Sequence, residues 1–225
     1  MGNIIDTIGN TPLVEITSFH ANPKVKIYAK LEGNNPAGSV KDRPALNMIR
    51  SAIERGEIKK GDKLIEATSG NTGIALAMIA SMYDLELELV MPSSSTRERT
   101  LTMEAFGAQV TLLENMEVCR DYAEEKAEKD GVFILNQFSN PDNYEAHIKT
   151  TGPEIWRDTQ GKITHFVSAM GTTGTIMGNS IYLKDKNPNI QIVGCQPTEE
   201  SSIPGIRRWP KEYLPTIFDS SRVDR

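Results

Sequence analysis

Short apolar stretches alternate with longer segments of helical spacing along this chain. The strand candidates are residues 25–31, 64–67, 85–91, 109–113, 132–135, 165–170 and 190–195. The helix candidates are residues 45–55, 74–81, 96–106, 117–129 and 176–183. Regular alternation of strand and helix predicts an α/β fold of βα units, with parallel strands joined by right-handed crossovers.

A lysine stands where a turn-rich segment meets the first helix. Residues 34–38 are rich in turn formers, and Lys41 follows them just before the helical spacing begins. Gly56 suits the position after the end of that helix. The positive end of a helix dipole disfavours an ammonium, so we expect a lowered pKa for Lys41 and the neutral amine that a Schiff base requires. By position alone, a solvated surface lysine is the simpler interpretation.

Two glycine-rich loops each follow a predicted strand and precede a predicted helix. The first is residues 68–73, Thr-Ser-Gly-Asn-Thr-Gly, and the second is residues 171–175, Gly-Thr-Thr-Gly-Thr. Amides at a helix start, beside hydroxyls and a side-chain amide, bind carboxylates or phosphates. Neither loop is a Walker loop or a dinucleotide fingerprint, and either alone suits a simple helix cap. Together with Lys41, they favour pyridoxal phosphate acting on an amino acid.

The lysine segment resembles the signature of the pyridoxal-phosphate-dependent cysteine synthases (O-acetylserine sulfhydrylases). That signature is K-x-E, three residues, then P-[small]-x-S-[V/I]-K-x-R. The matching residues are Lys30, Glu32, Pro36, Ala37, Ser39, Val40, Lys41 and Arg43. The resemblance covers the whole chain, and the words at residues 32–43, 151–156 and 206–210 are most similar to the bacterial B-type members.

The resemblance implies a two-lobed fold of parallel-sheet βα units, like the tryptophan synthase β-subunit (fold type II). Residues 1–37 and 145–225 would form the large cofactor-binding lobe, and residues 38–144 the small mobile lobe. Family members continue beyond the position of Arg225. We therefore expect the large lobe to be incomplete in this chain, without the residue that meets the pyridine nitrogen.

The resemblance also implies a role for each matching site residue. Lys41 would carry the cofactor as a Schiff base and remove the substrate Cα proton. The other cofactor-binding residues would be Asn71, at the 3′ oxygen, and Gly171, Thr172, Thr173, Gly174 and Thr175, at the phosphate. The substrate-binding residues would be Thr68, Ser69, Gly70, Thr72 and Gln137, with Arg207 and Trp209 near the sulfur donor. Arg208 is interpreted as surface charge.

The implied reaction is a β-replacement. O-acetyl-L-serine would lose acetate through an α-aminoacrylate, and sulfide would then add to give L-cysteine. A guanidinium at Arg207 could attract thiosulfate, which would give S-sulfocysteine. The alternatives are a cystathionine β-synthase, a desulfhydrase or a dehydratase of the same fold, or an inactive fragment that acts as a binding module.

Composition restricts the class of protein without adding chemistry. With 225 residues, 38% hydrophobic and 24% charged, the chain can bury a core, and its net charge of −5 disfavours nucleic acid as a partner. We expect no membrane span and no secretory signal, hence a cytoplasmic enzyme. Cys119 and Cys195 are expected to be buried thiols, and His20, His147 and His165 lack metal-ligand spacing. The family resemblance implies a homodimer, and the B-type residues argue against a complex with serine acetyltransferase.

Overall fold

The computed structural model describes residues 2–18, 22–68, 70–201, 203 and 205–225. Its strands are β1 (Leu13–Glu15), β2 (Tyr28–Lys30), β3 (Lys63–Ala67), β4 (Glu86–Pro92), β5 (Gln109–Leu113), β6 (Phe133–Ile134), β7 (His165–Ala169) and β8 (Gln191–Cys195). Its α-helices are α1 (Asp42–Glu54), α2 (Asn71–Met82), α3 (Arg97–Ala105), α4 (Met116–Asp130), α5 (Pro141–Ala146), α6 (Gly152–Asp158) and α7 (Gly174–Lys186). A π-helix, His147–Thr151, joins α5 to α6. Short 3₁₀ turns lie at Ile4–Thr7, Glu32–Asn34, Lys211–Tyr213 and Ser220–Arg222.

The central sheet has four parallel strands in the order β5-β4-β3-β6. Its apolar strands are separated by helices that return the chain to the same edge, as parallel pairing requires. In the register of this sheet, Ile65 of β3 lies between Glu88 of β4 and Ile134 of β6. The predicted α/β class with parallel strands is confirmed.

Two smaller sheets lie outside the central one. β1 and β2 pair antiparallel near the N-terminus, and β7 and β8 pair parallel with α7 as their crossover. The four-stranded sheet falls within residues 38–144, and the β7–β8 sheet within 145–225. The two-lobe division at those boundaries stays a prediction.

Alternation along β3 divides the core between the two faces of the central sheet. Leu64 packs with the apolar faces of α1 and α2, whereas Ile65 and Ala67 pack with α4 and Phe138. A third cluster lies between α7, α6 and the β7–β8 sheet, and includes Ile155, Ile176, Met177, Leu183 and Ile192. Among the described residues, no helix combines the length and the apolar character needed to span a membrane.

The ends of α1 agree with the sequence. α1 begins one residue after Lys41, which occupies the N-cap position, and Gly56 adopts φ +75° just past the C-terminal end. The Gly56 and Glu57 amides donate to the carbonyls of Ile53 and Ala52, which closes the helix in the way a glycine at this position favours.

One expectation about the cysteines is wrong. Cys119 is buried in α4, as predicted, but Cys195 is exposed. Cys195 is the last residue of β8 and lies on the open face of a two-stranded sheet, the face on which Val167 is 61% exposed. The apolar spacing of β8 predicts a strand but not which face of it is covered.

Candidate functional site

The two glycine-rich loops meet at one pocket, at the carboxyl ends of β3 and β7. The 68–73 loop directly follows β3, and the 171–175 loop follows β7 after one residue. Ligands of α/β proteins commonly bind at this edge of a parallel sheet. The empty space is about 460 Å³, counted to its opening to solvent. It is lined by Lys41, Thr68, Gly70, Asn71, Thr72, Met116, Gln137, Phe138, Gly171, Thr172, Gly205, Arg207 and Trp209.

Most of the residues predicted from the sequence therefore converge. Thr173, Gly174 and Thr175 lie directly behind the lining, at the start of α7. Ser69 falls outside the described residues, as does His20. The charged lining residues are Lys41 and Arg207, and both are cations. The pocket is therefore suited to anions.

Lys41 occupies the N-cap position of α1 and is partly buried. Its backbone amide donates to Ser39 Oγ at 3.1 Å. Burial lowers the pKa of Lys41 to about 8. The direction agrees with the prediction, and its physical cause is the loss of hydration on burial. No ion-pair partner of Lys41 exists among the residues that the structure describes.

A buried ionic network anchors the turn of α1 that carries Lys41. Arg43 donates to both carboxylate oxygens of Glu154 at 2.7 and 2.8 Å, and to both oxygens of Glu32 at 2.7 and 2.8 Å. Lys30 Nζ lies 2.6 Å from Glu154. Burial alone would raise the pKa of Glu154, but the hydrogen bonds from Arg43 and Lys30 outweigh it and hold the pKa at about 2. This fixes the lysine segment to α6.

Thr68 pairs two backbone amides of the 68–73 loop. Thr68 Oγ1 accepts from the amides of Gly70 and Gly73, both at 3.2 Å. A Cβ at Gly73 would lie 2.7 Å from Cγ2 of the buried Thr68, so a side chain at this position would displace the residue that pairs the loop amides. Thr72 is 6% exposed and lines the pocket beside Asn71, the first residue of α2.

The 171–175 loop leaves a donor unused. Thr173 adopts the left-handed conformation, φ +71°, at the N-cap of α7. This conformation is strained for a β-branched residue. Its hydroxyl is buried and, within the described part of the chain, has no hydrogen-bond partner. A buried unpaired hydroxyl at a helix start indicates a missing acceptor, as a phosphate would be.

The hydroxyl of Thr175 meets a buried histidine. His147 Nε2 lies 3.2 Å from Thr175 Oγ1, and His147 Nδ1 lies 2.9 Å from Thr151 Oγ1. Burial, with the charges of Lys41 and Arg43, keeps the pKa of His147 well below its usual range. His147 is therefore a neutral hydrogen-bonding group. The sequence interpretation of this histidine as structural missed that it contacts the loop.

Asn143 connects the two halves of the pocket and was not predicted. Its Nδ2 donates to the carbonyl of Gln137 at 2.7 Å and to Thr172 Oγ1 at 3.1 Å. A Cβ at Gly174 would overlap Asn143 Oδ1. The sequence signal that could have indicated this contact is the second glycine of the 171–175 loop.

The C-terminal segment covers one side of the pocket. Trp209 Nε1 donates to the carbonyl of Gly171 at 2.7 Å, and its ring meets Phe138 edge-on at 5.4 Å between centroids. The backbone amide of Arg207 donates to Met170 O, so Arg207 lies at the pocket rim. Arg208 points elsewhere and pairs with Glu199 at 3.1 Å, in agreement with a surface role. Phe138 was missed because an aromatic residue in a loop predicts no specific contact.

Comparison with known proteins agrees with this geometry. The family model described as "Pyridoxal-phosphate dependent enzyme" matches residues 4–224. Cysteine synthase B of Pseudomonas aeruginosa is 59% identical over 99% of this chain and 75% of its own length.

Solved structures give the same result. O-ureido-L-serine synthase superposes with a TM-score of 0.92 at 35% identity, covering 100% of this chain and 74% of that one. O-acetyl serine sulfhydrylase isoform 3 of Entamoeba histolytica superposes with a TM-score of 0.86 at 38% identity, covering 100% of this chain and 71% of that one. This chain thus corresponds to about three quarters of each relative.

Proposed function

The chain belongs to the pyridoxal-phosphate-dependent enzyme family, and on that premise we propose that it makes L-cysteine from O-acetyl-L-serine and sulfide. The observation that carries the proposal is the pocket itself, which is lined by Lys41 and by residues of both helix-start loops, and whose charged lining residues are both cations. The name of the relative at 59% identity favours this reaction. Because O-ureido-L-serine synthase has the same fold, the fold alone does not determine which nucleophile reacts with the substrate.

The residues of the pocket fit the cofactor. Thr173 presents a buried hydroxyl that has no acceptor among the described residues, at the N-terminus of a 13-residue helix. A Cβ at Gly171 would lie 2.7 Å from Gly205 O, so the cradle is narrow and has no room for a side chain there. Lys41 has a lowered pKa, as a group that bonds an aldehyde requires. The 171–175 loop would hold the phosphate, Asn71 the 3′ oxygen and Lys41 the aldehyde carbon.

When bound, pyridoxal phosphate acts as an electron sink for negative charge at the substrate Cα. The chain supplies the proton transfer. With a pKa of about 8, Lys41 has a substantial neutral fraction near physiological pH, so its Nζ can accept the Cα proton. The network of Arg43, Glu32 and Glu154 fixes the helix turn that carries this amine.

The 68–73 loop and Gln137 would orient the substrate carboxylate. Thr68 and Thr72 are buried hydroxyl residues of the lining, and Gln137 is 3% exposed. Because each hydrogen bond to a charged group contributes about 1.5–3 kcal/mol, a few such contacts are enough to select an amino acid over an amine. Phe138 and Trp209 close one side of the pocket and exclude water from the reacting atoms.

An absorbance spectrum of the purified protein tests the proposal. We expect a visible band from the lysine-linked cofactor, a change of that band on adding O-acetylserine, and cysteine after sulfide is added. A band that ignores O-acetylserine but responds to threonine or cystathionine would favour a related enzyme of the fold. A protein without the band and without turnover in added cofactor would be a binding module.

We further propose that Arg207 lets the enzyme accept thiosulfate and form S-sulfocysteine. The guanidinium stands at the rim, over the Trp209 ring at 5.8 Å, and a planar fork can hold two oxygens of an anion. Sulfide has no oxygens to hold. Arg207→Ala should therefore slow the thiosulfate reaction about ten- to a hundredfold, with a smaller effect on sulfide.

Arg208→Ala is the matched control for Arg207, because its neighbouring guanidinium pairs with Glu199 outside the pocket lining. It should leave both donors unchanged. Trp209→Ala should slow both donors, because the indole holds Gly171 O. If Arg207→Ala slowed the reactions with thiosulfate and with sulfide equally, Arg207 would have only a structural role.

The same premise extends to the whole enzyme. We propose that residues 38–144 move as a lobe over the pocket, and that the enzyme works as a cytoplasmic homodimer on small molecules, without a serine acetyltransferase complex. Light scattering, alone and with added serine acetyltransferase, tests the assembly. A mass above that of a dimer only in the mixture would contradict it.

A further inference from the structure

A buried carboxylate lies behind the pocket and has no role in the reaction outlined above. Glu66, near the carboxyl end of β3, is 1% exposed. Its Oε2 accepts from the backbone amide of Asn136 at 2.8 Å, and its Oε1 from the backbone amide of Gln137 at 3.0 Å. Two successive amides are thus bound by the two oxygens of one side chain.

The loop is shaped to present those amides. Asn136 adopts φ +52°, a left-handed conformation that asparagine tolerates better than most residues. Turns of this kind direct successive N–H groups toward one anion. Here the anion is a carboxylate of the protein itself, on the strand that β6 pairs with.

The same strand end also holds the side chain of Gln137. Gln137 Nε2 donates to the carbonyl of Ala67 at 2.8 Å, and the next residue, Thr68, begins the 68–73 loop. Asn143 binds the carbonyl of Gln137 from the opposite side. Both the backbone and the amide of Gln137 are therefore positioned by the end of β3.

We propose that Glu66 is a positioning residue for the substrate carboxylate site, because its ionised carboxylate holds the backbone of Gln137 in the place from which Gln137 meets the substrate. This inference rests on the proposed role of Gln137 in binding that substrate. We call the contact between Glu66 and the amides of Asn136 and Gln137 the carboxylate clamp.

The clamp responds to pH in a defined direction. Burial raises the pKa of Glu66 to about 7, while the two amides, the Gln137 side chain and the charge of Arg120 on α4 act in the opposite sense. Above that pH both oxygens accept hydrogen bonds. As the pH falls through it, one oxygen gains a proton and becomes a donor, which faces an N–H group and opens the clamp.

NMR of the ¹⁵N-labelled holoenzyme tests the clamp directly, without reference to activity. The amide resonances of Asn136 and Gln137 should titrate together between pH 6 and pH 8, on the order of one unit either side of the Glu66 pKa. In Glu66→Gln that titration should vanish. Absence of the titration from the wild-type protein would overturn the clamp.

Substrate affinity tests the positioning role. The probe is the absorbance change on O-acetylserine titration at pH 8, where Glu66 is ionised. Glu66→Gln offers one acceptor for two amides, so the half-saturating concentration should rise about tenfold, while cofactor content is retained. Lowering the pH to 6 should weaken the wild-type response and leave the Glu66→Gln response comparatively flat.

Glu88→Gln is the matched control. Glu88 lies on the adjacent strand, opposite Ile65, and is partly buried in a pair with Lys126 at 2.7 Å. This variant should keep both the substrate affinity and its pH profile. Glu66→Asp retains the charge on a shorter side chain and should fall between the wild type and Glu66→Gln.

The outcomes separate the inference from the proposed function. A normal substrate response in Glu66→Gln would overturn the positioning role even if the amides titrate. A wild-type enzyme that ignores O-acetylserine at every pH would refute the proposed function, and the amide titration would then decide the clamp by itself.

Discussion

The 68–73 loop and the 171–175 loop follow the same plan of strand, glycine-rich turn and helix, yet they are completed differently. In the first, Thr68 caps the loop's own amides, and the neighbouring Gln137 is held by the end of β3. In the second, Thr173 sits in a strained conformation with an unpaired buried hydroxyl. Two amides of the first loop are thus paired without a ligand, whereas the Thr173 hydroxyl has no partner among the described residues.

On the roles that we propose for the two loops, this difference would separate a substrate site from a site that retains a cofactor. A buried unsatisfied group costs free energy until it is paired, so on these proposed roles the 171–175 loop would gain more from a phosphate than the 68–73 loop would gain from a carboxylate. The following predictions test whether the two loops act separately, from the largest expected effect to the smallest.

Lys41 lines the same pocket as residues of the two loops, and its removal tests whether the loops bind without it. Lys41→Ala should lower turnover by at least about 10²–10⁴-fold, because none of the other described lining residues has a side chain that accepts a proton near neutral pH. Steady-state rates and the absorbance spectrum measure this. Lys41→Arg, which keeps the charge but cannot lose its proton, should be equally inactive. Wild-type turnover in either variant would refute the assignment.

Asn143 is the side chain that joins the loops, so its removal should affect both. Asn143→Ala leaves the carbonyl of Gln137 and the hydroxyl of Thr172 unpaired, which should lower the free energy of unfolding by about 1–3 kcal/mol. Affinities for cofactor and for O-acetylserine should fall together. Denaturant unfolding and two binding titrations provide the measurement.

Asn140→Ala is the control for Asn143. Asn140 caps α5 three residues earlier, so this variant should lose about 1 kcal/mol of stability and keep both affinities. If Asn143→Ala changed only one of the two affinities, the two loops would bind their ligands independently, and Asn143 would not couple them.

Thr173 tests the loop with the unpaired hydroxyl. Thr173→Ala should weaken cofactor binding about ten- to a hundredfold, yet should not destabilise the cofactor-free protein, since that hydroxyl has no partner in the described structure. Thr173→Ser should restore binding because it restores the hydroxyl. Thermal unfolding with and without cofactor separates these effects. A loss of stability in the cofactor-free Thr173→Ala protein would contradict the comparison.

Thr72 tests the 68–73 loop, where the smallest effect is expected. Thr72→Ala should raise the half-saturating O-acetylserine concentration about tenfold and leave cofactor affinity unchanged, because Thr68 still caps the loop. Thr102→Ala, which removes an exposed hydroxyl bonded to its own helix, is the control. Loss of cofactor with a normal substrate response in Thr72→Ala would mean that the 68–73 loop binds the cofactor phosphate, contrary to the roles that we propose for the two loops.

The sequence predicted the local structure of several segments, because local structure depends on neighbouring residues along the chain. The apolar runs predicted β3, β4 and β5 within a residue at either end, and Gly56 predicted the close of α1. The turn residues before Lys41 predicted that a helix begins at Lys41, and α1 begins one residue later, at Asp42. Both loops lie at strand ends, as the pattern indicated.

Contacts between distant segments were decided by tertiary structure alone. Glu66 and Asn143 are 77 positions apart, yet both hold Gln137, and neither was predicted as a site residue. The pKa of Lys41 falls through burial, which no local pattern reports, and Cys195 is exposed because the face of its sheet is open. The sequence by itself determined most of the helices and strands and which residues are candidates for chemistry, although it did not indicate β1, α5 or α6. Only the packing of those elements decided which groups meet, because burial and hydrogen bonding across the chain depend on three-dimensional distance.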